Sequence, residues 1–324
     1  MKSHLRIHFL LFLLGLLTFS CDSQDDDGTT VNNSTSVDCK LQGYTNNYNE
    51  VFDNDSYSDS EVFTYTYNSD GQLISVDERD ATDSTDFSTH TLSYDTDGNL
   101  ISYQEGDDYQ MILSYDANGR LESITEQEHS TPRKSNARLH QALFSKLANN
   151  NARKAATSDD DYSLEFFYND GENLPFKAES SSDDTEVILY TFNSDKELTQ
   201  MEVSFSGGND DNETWAGTET ITFTYGDKSS PVSGLFKNPV ISSPFGSMFI
   251  DLIDFDILSY KKNLSSVSSV GSETYNDVTE NWNEVYNYIY TYDSLTELPS
   301  SISISQTADW GNWSEEYVFE YDCQ

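Results

Sequence analysis

Positive charge is scarce in this 324-residue sequence, which has 17 lysines and arginines against 57 aspartates and glutamates and a formal net charge of −40. Such an acidic chain repels nucleic acid and anionic lipid headgroups, so we exclude a nucleic-acid-binding protein. Histidine is also scarce, and only His90, His129 and His140 follow the N-terminal apolar run. The sequence has no Gly-x-Ser-x-Gly elbow, phosphate-binding glycine loop or histidine-rich metal spacing. We therefore predict no catalytic residue, metal site or cofactor.

Long apolar runs are missing except at the N-terminus. Lys2 and Arg6 flank the start of "IHFLLFLLGLLTF", which is short for a membrane span and typical of an export signal over residues 1–20. The following "LLTFSC" resembles a bacterial lipoprotein processing site, which implies cleavage before Cys21 and acylation of that cysteine. The alternative is an ordinary secretion signal with an incidental cysteine.

Residues 21–38 contain "DSQDDDGTTVNNSTS", a polar and acidic stretch that predicts a flexible tether. An acidic cluster directly after a lipidated cysteine resembles the surface-export signal of Bacteroidota lipoproteins. We therefore expect a lipid anchor in the outer membrane, with the protein facing the cell exterior. The alternative is a solvated linker with no targeting role.

Only three cysteines are present, and Cys21 is assigned to the anchor. The other two, Cys39 and Cys323, lie at opposite ends of the remaining chain, and an even pair in an exported protein favours a disulfide. Such a bridge needs Cα atoms within about 7 Å, so it places the first and last strands side by side. Two free thiols are the alternative.

A short motif recurs along the chain: an aromatic residue, Asp or Asn, any residue, Asp or Asn, Gly, any residue, Leu. It occurs as "YNSDGQL" (67–73), "YDTDGNL" (94–100) and "YDANGRL" (115–121), and more weakly as "YNDGENL" (168–174), "FNSDKEL" (192–198) and "YDSLTEL" (292–298). Each copy follows a run with period-two alternation, as in "EVFTYTYN", which predicts a strand that enters a hairpin turn. Each repeat is therefore one hairpin.

These hairpins predict an all-β fold for residues 39–324: an antiparallel up-and-down meander of about a dozen strands that forms a barrel or half-barrel. The aromatic residues occupy one strand face, and Thr64, Thr66, Glu316 and Glu320 are among the residues on the other. Because only one face is apolar, that face has to line the interior. A lipid-facing barrel surface must be apolar, so we expect a water-soluble barrel and not an integral pore.

The Asp-x-Asp-Gly sequence of the repeats also suggests a calcium loop. An EF-hand supplies a glutamate at its twelfth position, whereas the loop that starts at Asp95 has Gly106 there. The copies also exchange Asp for Asn, and Lys196 replaces the glycine in one of them. We therefore predict turns, with weak calcium binding as the alternative.

Two segments interrupt the meander. Residues 131–160 form an insert whose first part, 131–154, has six basic residues and no acidic one, and "ARLHQALFSKLA" within it predicts a short amphipathic helix. This helix either caps the sheet or pairs with its acidic face, or it contacts a partner or a membrane. Residues 231–263 are strongly apolar and predict a plug or cover for the apolar face of the sheet.

Two resemblances accompany these patterns. "YDTDGNL" and "YDANGRL" resemble the tyrosine-aspartate repeats of RHS-type toxin shells. The lipoprotein signal, the hairpins, "GLFKNPVISSP" followed by "YKKNLSSV", and "YTYDSLTELPSSI" together resemble a family of uncharacterised Bacteroidota lipoproteins with a porin-like fold. This second resemblance implies a many-stranded barrel or half-barrel of unknown function.

Three classes of function remain. A binding module for a glycan or another extracellular ligand is favoured, and Trp215, Trp310 and Trp313 near polar loops are its candidate residues, with core packing as the alternative. A structural or scaffolding surface protein with a protein partner comes next. A carboxylate-based glycoside hydrolase is the remote third, because no pair of acids is singled out by the sequence.

We predict that Cys21→Ser abolishes acylation and shifts the protein from the membrane fraction to the soluble fraction, because the acyl chains supply the anchor. Labelling with an alkyne fatty acid, followed by cell fractionation, measures both effects. Cys39→Ser is the matched control and should keep the label. Label retained on the Cys21 variant contradicts lipidation at this residue.

Overall fold

A computed structural model describes residues 39–52, 55–83, 85, 87–106, 109–128, 163–180, 185–208, 214–230, 236, 241, 262–308 and 311–323. These residues form sixteen strands and no helix. The strands are β1 (Cys39–Phe52), β2 (Asp55–Tyr67), β3 (Leu73–Asp80), β4 (Phe87–Tyr94), β5 (Leu100–Glu105), β6 (Tyr109–Tyr115), β7 (Leu121–Glu128), β8 (Ser163–Tyr168), β9 (Pro175–Ser180), β10 (Thr185–Phe192), β11 (Leu198–Gly208), β12 (Thr214–Ser229), β13 (Lys262–Tyr275), β14 (Val278–Tyr292), β15 (Pro299–Ala308) and β16 (Gly311–Cys323).

Each strand pairs with its neighbours in sequence, and β1 pairs with β16, so the sheet is a closed barrel. The β1–β16 register starts at Cys39 opposite Cys323 and continues to Val51 opposite Asn312. A disulfide joins Cys39 to Cys323 across a sequence separation of 284 residues, with the Cα atoms 4.0 Å apart. The predicted all-β meander and the predicted bridge are both confirmed.

The strand count is sixteen, more than the dozen or so that we expected from the sequence. The strand after each repeat turn starts with a β-bulge, as where Tyr67 pairs with Leu73 but Thr66 pairs with Ser75. The buried residues of such a strand are then three apart, as Leu73 and Val76 are, and the period-two pattern is lost. The predicted helix within the insert at 131–160 lies outside the described residues.

The repeat motif folds as a hairpin turn. In "YDTDGNL", the side chain of Asp95 accepts hydrogen bonds from the backbone N–H groups of Asp97 (2.9 Å) and Asn99 (2.8 Å) and from the Asn99 amide (2.9 Å). These hydrogen bonds lower the pKa of Asp95, and the bond from the Asn99 side chain has the largest effect. Gly98 has φ of 82°, which the turn requires. The oxygens of Asp95 thus bond to donors of their own turn.

In the repeats that start at Tyr94, Tyr115 and Tyr168, the tyrosine hydroxyl bonds to the repeat before it. Tyr94 donates to the carbonyl of Leu73 at 2.7 Å, which links the second repeat to the first. Burial raises the pKa of Tyr94, so the hydroxyl keeps its proton and remains a donor. The same bond recurs around this end of the barrel, from Tyr67 to Leu41, Tyr115 to Leu100, Tyr168 to Leu121, Tyr225 to Leu198 and Tyr321 to Pro299.

The apolar strand faces form the interior, as predicted. Phe63, Tyr65 and Phe223 are buried, and they belong to one core cluster that includes residues from all sixteen strands. The side chains between them, such as Thr64 and Thr224, are exposed. Burial of the apolar face is the main stabilising contribution to such a barrel.

The barrel has two distinct ends. The turn end carries the six repeat turns and the disulfide, and the distal end carries the connections that follow β1, β3, β5, β7, β9, β11, β13 and β15. The apolar segment 231–263 connects β12 to β13 at the turn end. Two of its described residues, Phe236 and Ile241, are buried in the core cluster. Among the described residues there is no helix long and apolar enough to cross a membrane.

We predict that Tyr94→Phe lowers the free energy of unfolding by about 1 kcal/mol, because the carbonyl of Leu73 loses its donor. Urea unfolding at an unchanged m-value measures this loss. Thr91→Val, on the outer face of the same strand, is the control and should change stability by less than about 0.5 kcal/mol. Equal losses for both variants contradict a role of the hydroxyl.

Candidate ligand-binding site at the distal end of the barrel

Four aromatic side chains line the barrel interior near its distal end, and we call them the aromatic wall. They are Phe205 on β11, Trp215 on β12, Tyr275 on β13 and Trp282 on β14, and all four are half-buried. Trp215 lies directly opposite Tyr275 in the β12–β13 ladder. The wall forms because β11, β12, β13 and β14 each have an aromatic residue at an inward-facing position near the distal end of the barrel.

Two glycines let the rings lie flat against the sheet. A Cβ atom added to Gly217 would lie 2.4 Å from Cζ of Phe205, and one added to Gly271 would lie 2.2 Å from Cζ2 of Trp282. Each ring therefore occupies the space that a side chain on its neighbouring strand would fill. A ring held in this way presents its opposite face to the barrel interior.

A polar network adjoins the wall. The indole Nε1 of Trp282 donates to Ser269 Oγ at 3.1 Å, and Ser269 Oγ in turn donates to a carboxylate oxygen of Glu219. Glu219 is buried, with 1% of its surface exposed. These contacts restrain the indole, because its nitrogen is hydrogen-bonded to Ser269 and the adjacent Cε2 and Cζ2 atoms rest on Gly271.

A second carboxylate lies two residues from Trp282 on the same strand face. Glu284, which is 2% exposed, accepts hydrogen bonds from Tyr286 Oη at 2.9 Å and from Gln306 Nε2 at 2.6 Å. On β16, Glu315 accepts one from Tyr317 Oη at 2.6 Å. Burying a carboxylate costs free energy unless hydrogen bonds stabilise it, and these hydroxyl and amide donors supply such bonds.

A buried histidine lies in another part of the barrel, formed by β3, β4 and β5. His90 is 2% exposed; its Nδ1 lies 2.7 Å from Tyr103 Oη and its Nε2 lies 3.0 Å from Glu78 Oε2. The His90 and Tyr103 rings are stacked. Both ring nitrogens are thus engaged within the barrel wall, and we assign His90 a structural role.

The structure describes only some of the binding and lipidation residues that were predicted from the sequence. Trp215 belongs to the aromatic wall. Trp313 lies on β16, with its backbone opposite Gln306 and Glu50, and nothing is described of its side chain. Trp310 and Cys21 lie outside the described residues.

Sequence reasoning missed Trp282, Glu219, Glu284 and Gln306. The signal for Trp282 was present, because it alternates in step with Tyr288, Tyr290 and Tyr292 along one strand, and the aromatic face of each strand was predicted to line the interior. The acidic residues carried no comparable signal. Four glutamates are buried (Glu186, Glu219, Glu284 and Glu315), and nothing in the sequence separates them from the rest of the 57 acidic residues. Among the described residues, no three His, Cys, Asp or Glu side chains are close enough to hold a metal ion.

We predict that Gly271→Ala lowers the free energy of unfolding by about 1–3 kcal/mol and changes tryptophan fluorescence, because the new methyl group displaces the indole of Trp282. Gly226→Ala is the matched control, since its added Cβ would lie 3.6 Å from the nearest atom. Unfolding curves and emission spectra of both variants test this. An unchanged emission spectrum for the Gly271 variant contradicts the flat placement of Trp282.

Comparison with family models finds that residues 16–135 match the Teneurin YD-shell family. The match covers the first three copies of the repeat motif and confirms the resemblance to tyrosine-aspartate repeats. No curated protein matches the sequence.

Comparison with solved structures finds similar folds. A porin-like protein from Bacteroides uniformis is 12% identical with a TM-score of 0.47, and the match covers 87% of this chain and 96% of that one. A porin-like protein from Bacteroides vulgatus is 9% identical with a TM-score of 0.42, covering 88% and 99%. The TcdB2-TccC3-Cdc42 complex is 10% identical with a TM-score of 0.28, covering 77% of this chain and 13% of that one.

Proposed function

We propose that the chain is a lipid-anchored surface module that binds a carbohydrate at the aromatic wall. The observation that carries this proposal is the flat, half-buried indole of Trp282, held by Gly271 beneath it and by the hydrogen bond to Ser269. Sugar rings have an apolar face that stacks on a rigid aromatic plane. Preorganisation of that plane reduces the entropy lost on binding.

The polar neighbours of the wall complete such a site. Carboxylates accept hydrogen bonds from sugar hydroxyls, and both Glu219 and Glu284 lie near Ser269: Glu219 accepts its hydrogen bond, and Glu284 is opposite it in the β13–β14 ladder. Ligand sites of this kind combine aromatic surface with a few placed polar groups. A scaffolding protein without a ligand would favour complete burial of these aromatics, whereas Trp215 and Trp282 are half-buried.

The barrel architecture supports an anchored role. The chain enters β1 at Cys39, at the turn end, so the tether over residues 21–38 joins the barrel at the end opposite the aromatic wall. The outer face carries exposed polar side chains such as Thr222, Thr224 and Glu320, as expected of a barrel surrounded by water and not of a pore. We place the protein on the outer membrane through Cys21, facing the exterior.

A panel of soluble polysaccharides and oligosaccharides, screened by thermal shift with the full-length chain, tests this function. A ligand at a hundred times its dissociation constant stabilises the fold by about 2.7 kcal/mol. We predict that Trp282→Ala weakens binding of the hit by at least about tenfold, because one to three kcal/mol of stacking is typical of such rings, roughly as for base stacking. Phe87→Ala, an exposed aromatic on the outer face, should leave affinity unchanged.

The bound oligosaccharide should be recovered intact, since we propose binding without catalysis; chromatography of the incubated ligand measures this. Release of shorter sugars would contradict a binding module and favour a hydrolase. Affinity that is equal in the Trp282 and Phe87 variants would place the ligand elsewhere.

A further inference from the structure

The polar groups beside the aromatic wall are mostly hydrogen-bond acceptors. Four interior glutamates are buried, with exposed fractions of 6% for Glu186, 1% for Glu219, 2% for Glu284 and 6% for Glu315. Hydroxyl and amide groups donate hydrogen bonds to Glu219, Glu284 and Glu315. A ligand that enters this region meets carboxylate and amide oxygen atoms.

Gln306 adds an acceptor that the fold leaves unused. The residue is 1% exposed, and its Oε1 has no hydrogen-bond partner among the described residues. Its Nε2 donates to Glu284 Oε2 at 2.6 Å and to Tyr286 Oη at 3.2 Å. Because both atoms belong to one planar amide, Oε1 lies beside the Glu284 carboxylate. Buried polar atoms nearly always have partners, so this oxygen marks a position for an external donor.

The chemistry of the complementary ligand follows from these acceptors. A primary ammonium group has three N–H donors and no acceptor, so it can bond to the amide oxygen and to a carboxylate together. The indole of Trp282 lies on the same strand face two residues from Glu284, and an aromatic face attracts a cation as well. A sugar hydroxyl, which carries no charge, would gain less from the same neighbours.

We propose that this site selects a ligand with a protonated primary amine, held by Glu284 and the amide oxygen of Gln306 beside Trp282. This inference deepens the proposed carbohydrate function, on which it rests for the location of the ligand. The net charge of −40 adds a long-range attraction for such a cation and raises its association rate. The amine can come from an amino sugar or from a free polyamine, which offer the same group.

Calorimetric titration of the full-length chain with three probes separates these sources. The probes are a glucosamine oligosaccharide at a pH where its amines are protonated, its N-acetylated and therefore neutral counterpart, and spermidine. We expect the glucosamine oligosaccharide to bind at least about tenfold more tightly than the N-acetylated one, with affinity that falls as salt is added. That result supports both the carbohydrate function and the amine.

The remaining outcomes distinguish the amine proposal from the carbohydrate-binding proposal. Equal or tighter binding of the N-acetylated probe overturns the amine and leaves the carbohydrate function in place. Binding of spermidine alone upholds the amine and overturns the carbohydrate function. Binding of none of the three overturns the amine, and the polysaccharide screen then decides the carbohydrate function separately.

Two variants test whether Gln306 and Glu284 bind the amine. Gln306→Leu removes the amide oxygen and should weaken amine binding by at least about tenfold. Its matched control is Gln200→Leu, since Gln200 also donates to a glutamate, Glu202, but lies outside the interior core. Glu284→Gln, which keeps the shape and removes the charge, is the second variant if the first does not fold. Wild-type affinity in a folded Gln306 or Glu284 variant overturns the assignment.

Discussion

The pairing of β1 with β16 is the interaction on which the rest of the structure depends. An open sheet of sixteen strands would leave two long edges with unpaired backbone groups, which favour aggregation. The β1–β16 ladder removes both edges, and the disulfide between Cys39 and Cys323 covalently fixes its end. Closure also turns one face of every strand inward, so each side chain on that face must either pack or find a polar partner.

The interior satisfies this requirement differently at its two ends. At the turn end, tyrosine hydroxyls donate to carbonyls of the preceding repeat, and leucines such as Leu73 and Leu121 are fully buried. Toward the distal end, the inward positions hold half-buried rings and buried glutamates. The turn end thus holds the interactions that stabilise the fold, while the distal end contains the groups that are costly to bury and that form the proposed ligand site.

This division gives the repeat a role beyond the turn. The motifs at 94–100 and 115–121 each supply a turn that bonds to its own Asp, a tyrosine that bonds to the previous repeat, and a leucine that is buried in the core. Phe192 shows the limit of the pattern, since it occupies the tyrosine position of its repeat but has no hydroxyl. The aromatic wall and Gln306 lie at the other end of the barrel.

Much of the fold was predictable from local sequence signals. The alternation that ends in a turn with Asp or Asn before Gly indicated hairpins, the apolar face of each strand indicated the interior, and the two cysteines indicated closure. The six repeat hairpins account for twelve strands, whereas β1, β12, β13 and β16 do not flank a repeat turn. The strand count was therefore underestimated.

The candidate site was predicted only in part. Trp215 stood out by its chemistry, but Glu219, Glu284 and Gln306 are single polar residues on three strands, β12, β14 and β15, whose register no local pattern reveals. The sequence by itself determined the repeat, its turns and the inward face, because these depend on contacts within a few residues. Only the tertiary structure decided which inward side chains meet across β12 to β15, because ladder register and barrel closure place residues together that are 50 or more positions apart, as for Ser269 and Glu219.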